Sequence, residues 1–212
     1  MKTSISVMLA DDHTVVRAGV RRLLEQHDNI DVIAEAESGE QAYQLFGDFM
    51  PDVLVMDISM PGIGGLEALR RILLRYHSAK VVIFSMHENA TFATQALTTG
   101  AMGYVAKSSD AQDLVQAVIS VADGINYLSP TLSEKINLQA ISDDNPMQKL
   151  TSREFEIFRL LAEGKTVEDI SAVLNIGQKT VANYQTILKQ KLGINSPVEL
   201  VRLAIKHELI ES

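Results

Sequence analysis

Five positions in the first 107 residues have types that could do chemistry together, and each closes or follows a short apolar run. Asp11 and Asp12 follow Ile5-Ser-Val-Met-Leu-Ala10, Asp57 closes 52–57, Ser85 closes 80–85, and Lys107 follows 102–106. Carboxylates brought together raise one another's pKa unless a cation joins them. A hard divalent ion is the natural partner, and Mg²⁺ prefers carboxylate, carbonyl and water oxygens in an octahedron. Such a set suits phosphoryl transfer: the metal neutralises charge growing on the phosphoryl oxygens, Lys107 supplies a point charge, and Ser85 offers a donor. An aspartate can itself be the nucleophile and form an aspartyl phosphate. Asp57 is the best candidate, since it closes the central run and is followed by the turn Met60-Pro-Gly62.

These residues converge only if the apolar runs are neighbouring strands. Strands are expected at 5–10, 31–36, 52–57, 80–85 and 102–106, three of them almost wholly apolar, as in parallel strands buried on both faces. Helical periodicity fills the gaps, with Val16, Val20, Leu23 and Leu24 on one face, then Leu66, Leu69, Ile72 and Leu73, then Leu114, Ala117, Val118 and Val121. Five strands alternating with five helices imply a doubly wound, five-stranded parallel α/β sheet of flavodoxin-like type. Ligands of such sheets sit outside the carboxyl ends of the strands, where all five polar positions fall. Any one of them alone would be an ordinary strand end or helix cap.

The length of 212 residues suits two domains, and a hydrophobic content of 46% supports a core without staples. There is no cysteine, which excludes disulfides and thiolate metal sites and fits a reducing compartment. No apolar run approaches the roughly 18 residues of a membrane span, so the chain is expected to be soluble and cytoplasmic. Charge is uneven. Residues 1–149 carry 11 Lys and Arg against 19 Asp and Glu, whereas residues 150–212 carry 8 of each. A nucleic-acid role would therefore rest on a local basic surface of the second part.

The character of the chain changes at residues 124–149. Gly124, Pro130, the polar run at 142–145 and Pro146 read as a linker with a short helix near 131–140. Domains are thus expected at 1–123 and 150–212. The second is all helical, over about 151–163, 167–174, 178–192 and 196–207, with capping boxes at Thr151/Glu154 and Thr166/Asp169 and stops at Gly164 and Gly193. In 178–192, Val181, Tyr184, Leu188 and Leu192 form a core face. The other face carries Lys179, Ala182, Asn183, Thr186, Lys189 and Gln190, and no acidic residue interrupts the helix. Together with Lys191 these lysines make a local patch that phosphates would favour.

With Tyr104 added, the first set of residues resembles the receiver domain of two-component response regulators over residues 4–123. The resemblance implies phosphorylation of Asp57 by a sensor histidine kinase, Mg²⁺ held by Asp12 and Asp57, and Asp11 assisting directly or through water. It adds the backbone carbonyl of Ser59 as a ligand and Ser85 with Tyr104 as a switch pair. Ser85 would turn to the phosphoryl group and Tyr104 would swing inward. Phosphatases of the haloacid-dehalogenase type also phosphorylate an aspartate but need a second one two residues later, where this chain has Ser59. His13 and His87 lie near the pocket and read as surface groups that could influence phosphate lifetime.

Residues 150–207 resemble the DNA-binding domain of the LuxR/NarL/FixJ class through Leu150-Thr-Ser-Arg-Glu154, Leu161-Ala-x-Gly164, Ile170-Ser-x-x-Leu174-Asn-Ile176, Thr180-Val181 and Lys191-Leu192-Gly193-Ile194. This implies a helix-turn-helix whose third helix enters the major groove. Ala182, Asn183 and Thr186 would face bases of double-stranded promoter DNA, with Lys179 and Lys191 on phosphates and Thr180 and Lys189 beside them. Relatives often carry Lys or Arg at the positions of 182, 185 or 186, where this chain has Ala, Gln and Thr, and a capping Ser or Thr where it has Gly177, so a monomer should bind weakly and binding should depend on a homodimer formed on phosphorylation. In the unphosphorylated state the acidic receiver is expected to mask the recognition helix. Ser59-Met-Pro-Gly-Ile-Gly-Gly-Leu66 and the closing helix are similar to the GacA/UvrY-like subgroup. Such a chain would turn over no metabolite. The competing reading is a receiver signalling through protein contacts, with the helical part serving only as an oligomerisation unit.

Overall fold

The computed structural model describes residues 4–141 and 145–210. Its elements run β1 (Ile5–Ala10), α1 (Thr14–Leu24), β2 (Ile30–Ala36), α2 (Gly39–Phe49), β3 (Val53–Met56), α3 (Gly64–Arg75), β4 (Val81–Ser85), α4 (Ala90–Thr99), β5 (Gly103–Ala106) and α5 (Ala111–Ala122). These match the expected strands to within a residue or so at each end. Every residue of β3 and β5 is buried, which explains their unbroken apolar runs, since helices cover both faces.

The sheet is parallel in the order β2-β1-β3-β4-β5-β6, so it has six strands and not five. The added strand, β6 (Tyr127–Leu128), pairs with β5 through Gly103 and Tyr104. Two residues are too few to show periodicity, so the sequence reading missed it. On one face α1 and α5 pack Val20, Leu24, Leu114, Val115 and Val118 against Val7, Leu9, Val55 and Val105. On the other, Phe46, Leu66, Leu69, Ile72, Phe92 and Ala96 cover Met8, Leu54, Met56 and Ile83. The chain leaves β1 in one direction to β2 and in the other to β3, which opens a crevice at the carboxyl ends of β1 and β3.

The stretch read as a linker holds β6, then α6 (Pro130–Ile141), which packs against α4, and a 3-10 turn over Pro146–Lys149. Part of the polar run at 142–145, residues 142–144, lies outside the described residues. The helical part follows as α7 (Ser152–Ala162), α8 (Val167–Leu174), α9 (Gln178–Leu192) and α10 (Pro197–Lys206). Thr151 with Glu154 and Thr166 with Asp169 both form complete capping boxes, each side chain bonding the other residue's backbone N–H. The α9 N-cap is Gly177 and receives no side-chain bond. No helix of the described residues is long and apolar enough to cross a membrane.

Candidate phosphoacceptor pocket and DNA interface

Backbone bonds carry the ladder one residue past the strands and thereby fix the pocket. Asp11 N–H donates to the Ala36 carbonyl (3.1 Å), Asp57 N–H to the Ala10 carbonyl (2.8 Å), and Lys107 N–H to the Ser85 carbonyl (2.7 Å). The loop after Asp57 is held by close packing: a Cβ on Gly65 would sit 2.0 Å from the Asp57 carbonyl oxygen, so only glycine fits there.

The side chains of three of the five sequence-selected positions are directly linked. Lys107 Nζ donates to Asp11 Oδ2 (2.6 Å) and Asp57 Oδ2 (2.8 Å), bridging two carboxylates that are almost wholly buried. Burial would lower the Lys107 pKa, but the hydrogen bonds to Asp11 and Asp57 outweigh it and hold the ammonium above its ordinary value. Asp57 Oδ1 accepts from Ser59 N–H (3.3 Å), and Asp11 Oδ1 accepts from His13 N–H (2.8 Å). Arg17 donates to the Asp11 carbonyl at 2.6 Å, anchoring the turn from beneath. Asp11, Asp12, His13 and Asp57 offer ligand atoms within 4.8 Å of one another. Asp12 Oδ1 is buried and accepts no hydrogen bond, although His13 Nδ1 lies 3.0 Å away. A shielded carboxylate oxygen without a donor, beside two further carboxylates, fits a hard cation that takes oxygen ligands.

Ser85 is fully buried, and its Oγ accepts from His87 N–H at 3.3 Å. Tyr104, the other member of the expected switch pair, occupies the inward position in this structure. It is already inside, 0% exposed, with its hydroxyl donating to the His87 carbonyl at 2.7 Å. Burial raises its pKa far above the ordinary phenol and outweighs the neighbouring Ser85 hydroxyl, which lowers it. The His87 ring is half-buried, stacked on Phe92 with centroids 3.8 Å apart, and its Nε2 lies 2.9 Å from Ser59 Oγ. It is therefore not a surface group, whereas His13 is exposed.

In the helical part, Val181 and Leu188 are buried, and Tyr184 and Leu192 pack on the core. Lys179, Thr180, Ala182, Asn183, Thr186, Lys189 and Lys191 are all exposed. The receiver side thus leaves the recognition face open, contrary to the masking expected from charge. What it covers is α7, which packs against α3 and α4. Lys191 has partners of its own: its Nζ donates to Glu154 Oε2 (2.7 Å) and to the Lys149 carbonyl (3.2 Å).

The seam between the two parts was not anticipated. One apolar cluster runs unbroken from the α3–α4 face of the sheet through Phe92 into Phe155, Phe158 and the helical core. Gln95, nearly buried, donates to the carbonyls of Met147 (2.7 Å) and Leu150 (3.3 Å). The Thr99 and Ser152 hydroxyls meet at 2.6 Å. Glu67, only 1% exposed, accepts from Arg70 and Arg71 and lies 3.5 Å from Arg153 Nη1 across the seam. Burial would raise the Glu67 carboxyl, yet bonds from Arg70 and Arg71 with the charge of Arg153 leave it below the usual carboxylate range. The spacing of Glu67 from Arg70 and Arg71 signals a local helix pair, but nothing in the sequence marks that pair as buried under a second domain.

Comparisons agree with this geometry. Residues 7–119 match the family described as "Response regulator receiver domain", and residues 148–204 match "Bacterial regulatory proteins, luxR family". The response regulator GacA of Pseudomonas aeruginosa is 36% identical over 211 residues, covering 98% of this chain and 99% of the relative. The response regulator UvrY of Escherichia coli K12 is 38% identical over 208 residues, covering 97% and 95%. Among solved structures, RcsB of Salmonella enterica serovar Typhimurium, bound to promoter rprA in the presence of phosphomimetic BeF3-, superposes with a TM-score of 0.75 at 25% identity, covering 95% and 98%. The chain belongs to the response regulators, the transcription regulators that join a receiver domain to a LuxR-family DNA-binding domain.

Proposed function

We propose that Asp57 is the phosphoacceptor and that its phosphorylation by a sensor histidine kinase controls dimerisation and promoter binding. The observation that carries this reading is the Asp57 carboxylate, 2% exposed, held against the Lys107 ammonium at 2.8 Å beside Asp11 and Asp12. An Asp57 carboxylate oxygen forms the new P–O bond while the donor's P–N bond breaks, its electron pair leaving on the imidazole. Lys107 stabilises the charge on the transferred group, and Ser85 supplies a hydroxyl donor once it turns from His87. Asp11, Asp12, Asp57 and the Ser59 carbonyl would hold Mg²⁺, which when bound neutralises phosphoryl charge.

Residues 1–123 act as the receiver, 124–149 as the connecting segment and 150–212 as the DNA-binding domain, working in the cytoplasm. Asn183 suits adenine, and Ala182 and Thr186 suit a thymine methyl. Lys179, Lys189 and the Thr180 hydroxyl are placed for phosphates. Because the recognition face is open, control acts through the position of the domain and its pairing with a second copy, not through occlusion of α9.

The test is direct. Incubated with a small phosphodonor and Mg²⁺, the wild type should acquire an acid-stable but alkali-labile phosphate, dimerise and bind promoter DNA more tightly, and Asp57→Asn should do none of these. Equal promoter affinity of Asp57→Asn and the phosphorylated wild type would sink the reading. Unchanged DNA association of Lys179→Ala with Asn183→Ala would favour an oligomerisation role for the helical part.

A further inference from the structure

A continuous line of contacts leads from the pocket to the buried face of α7. Ser59 stands two residues after Asp57, and its Oγ meets His87 Nε2 at 2.9 Å. The His87 ring stacks on Phe92 at 3.8 Å with an interplanar angle of 13°. Phe92 then meets the edge of Phe155 at 5.3 Å and 87°, and both phenyl rings are fully buried. His87 is also tied through its backbone, donating from N–H to Ser85 Oγ and accepting from Tyr104 at its carbonyl. One residue is therefore bonded to Ser59, Ser85 and Tyr104, while its ring supports the aromatic pair that joins the two domains.

We propose that His87 is a positioning residue that couples the state of Asp57 to the docking of α7, through Ser59 on one side and Phe92 with Phe155 on the other. The proposal rests on the reading of Asp57 as the phosphoacceptor. A phosphoryl group there brings three acceptor oxygens and about −1.5 to −2 charge beside the two serines. A Ser59 hydroxyl donating to a phosphoryl oxygen cannot also donate to His87. A Ser85 hydroxyl drawn the same way moves off the His87 N–H. Losing both leaves His87 held only by the Tyr104 bond at its carbonyl, so the ring can shift, and a gap of about 0.5–1 Å already forfeits roughly a quarter to a half of a close-packed contact. A small shift at His87 thus reaches Phe155, where two packed surfaces either fit or part. The Gln95 bonds to the Met147 and Leu150 carbonyls hold the seam independently, so the His87 path is a trigger and not the whole clasp.

The experiment uses the full chain with Mg²⁺ and beryllium fluoride as the phosphoryl mimic. Fluorine NMR reports whether the mimic is bound, and amide hydrogen exchange over 152–162 reports docking. In the wild type, bound mimic should raise exchange in α7 about tenfold. His87→Phe keeps an aromatic ring for the stack and loses the bond to Ser59, so α7 should be protected as in the wild type and rise less than about twofold with mimic bound. His87→Ala loses ring and bond together, and its α7 should exchange faster before any mimic is added. A full wild-type response in His87→Phe with mimic bound overturns the proposal. So does a wild type that binds the mimic without any change in α7. If the wild type gives no signal of bound mimic, the reading of Asp57 falls and the proposal falls with it.

Discussion

Lys191 separates two accounts of how this chain would hold DNA. Sequence spacing places it with Lys179 as a phosphate contact, but its ammonium is engaged with Glu154 Oε2 at 2.7 Å and the Lys149 carbonyl at 3.2 Å. The Lys191 side chain is 37% exposed and that of Glu154 only 7%, so moving Lys191 to DNA would leave a mostly buried carboxylate without its charged partner, held only by the capping-box bond from Thr151 N–H. Hydrogen bonds to charged groups are worth roughly 1.5–3 kcal/mol, whereas an exposed charge pair returns about 0–1 kcal/mol. Lys191 should therefore stay on Glu154. Each phosphate contact contributes about 0.9 to the slope of log affinity against log salt, or roughly 3.5-fold between 50 and 200 mM. Measured by fluorescence anisotropy on duplex DNA, Lys179→Met and Lys189→Met should each lower the slope by about 0.9 per protomer bound. Lys191→Met should leave the slope unchanged and instead reduce thermal stability of the helical domain by about 1–2 kcal/mol. A slope falling as far for Lys191→Met as for Lys179→Met would refute this reasoning.

Lys107→Met leaves the buried Asp11 and Asp57 carboxylates facing each other without a cation. Its melting temperature should fall in metal-free buffer and recover with added Mg²⁺ more than the wild type's does, which differential scanning fluorimetry would show. Asp12→Ala should weaken the rise in melting temperature produced by Mg²⁺ in the wild type, since it removes the buried oxygen that lacks a donor. Glu67 is held below its ordinary value near 4.5, so its contribution is present above that pH and is lost as pH falls through the folded value. Urea midpoints followed from pH 6 down to pH 3 should drop more steeply for the wild type than for Glu67→Gln. At pH 7 the same variant should lose about 3 kcal/mol, because Arg153 is left without its carboxylate. Gln95→Met keeps the volume and removes both donors to the 147 and 150 carbonyls. Proteolysis between the domains should become faster in that variant, with the isolated receiver melt unchanged.

Much of the site was legible because its residues sit at ends of apolar runs. Asp11, Asp12, Asp57, Ser85 and Lys107 are placed by strand termini, and termini are marked in the sequence by the change from apolar to polar. The strand-end rule then needs no knowledge of distances. The helices of the second domain were equally visible, since capping boxes at Thr151 and Thr166 are local events within four residues. Strand β6 escaped because two residues cannot show a period, and its pairing with β5 is a long-range choice.

The sequence by itself determined which polar groups gather at the pocket and the order of the elements, because both follow from patterns repeated along a few neighbouring residues. Only the tertiary structure decided what each group spends its bonds on. It put Tyr104 inside already, gave Lys191 to Glu154, sat α7 on the α3–α4 face and left the recognition helix in the open. Charge had suggested the reverse for that helix. Net charge acts over long distances and is screened by salt, whereas the docking of α7 rests on Phe92, Phe155 and Gln95 at contact distance, where burial and hydrogen bonding outweigh it.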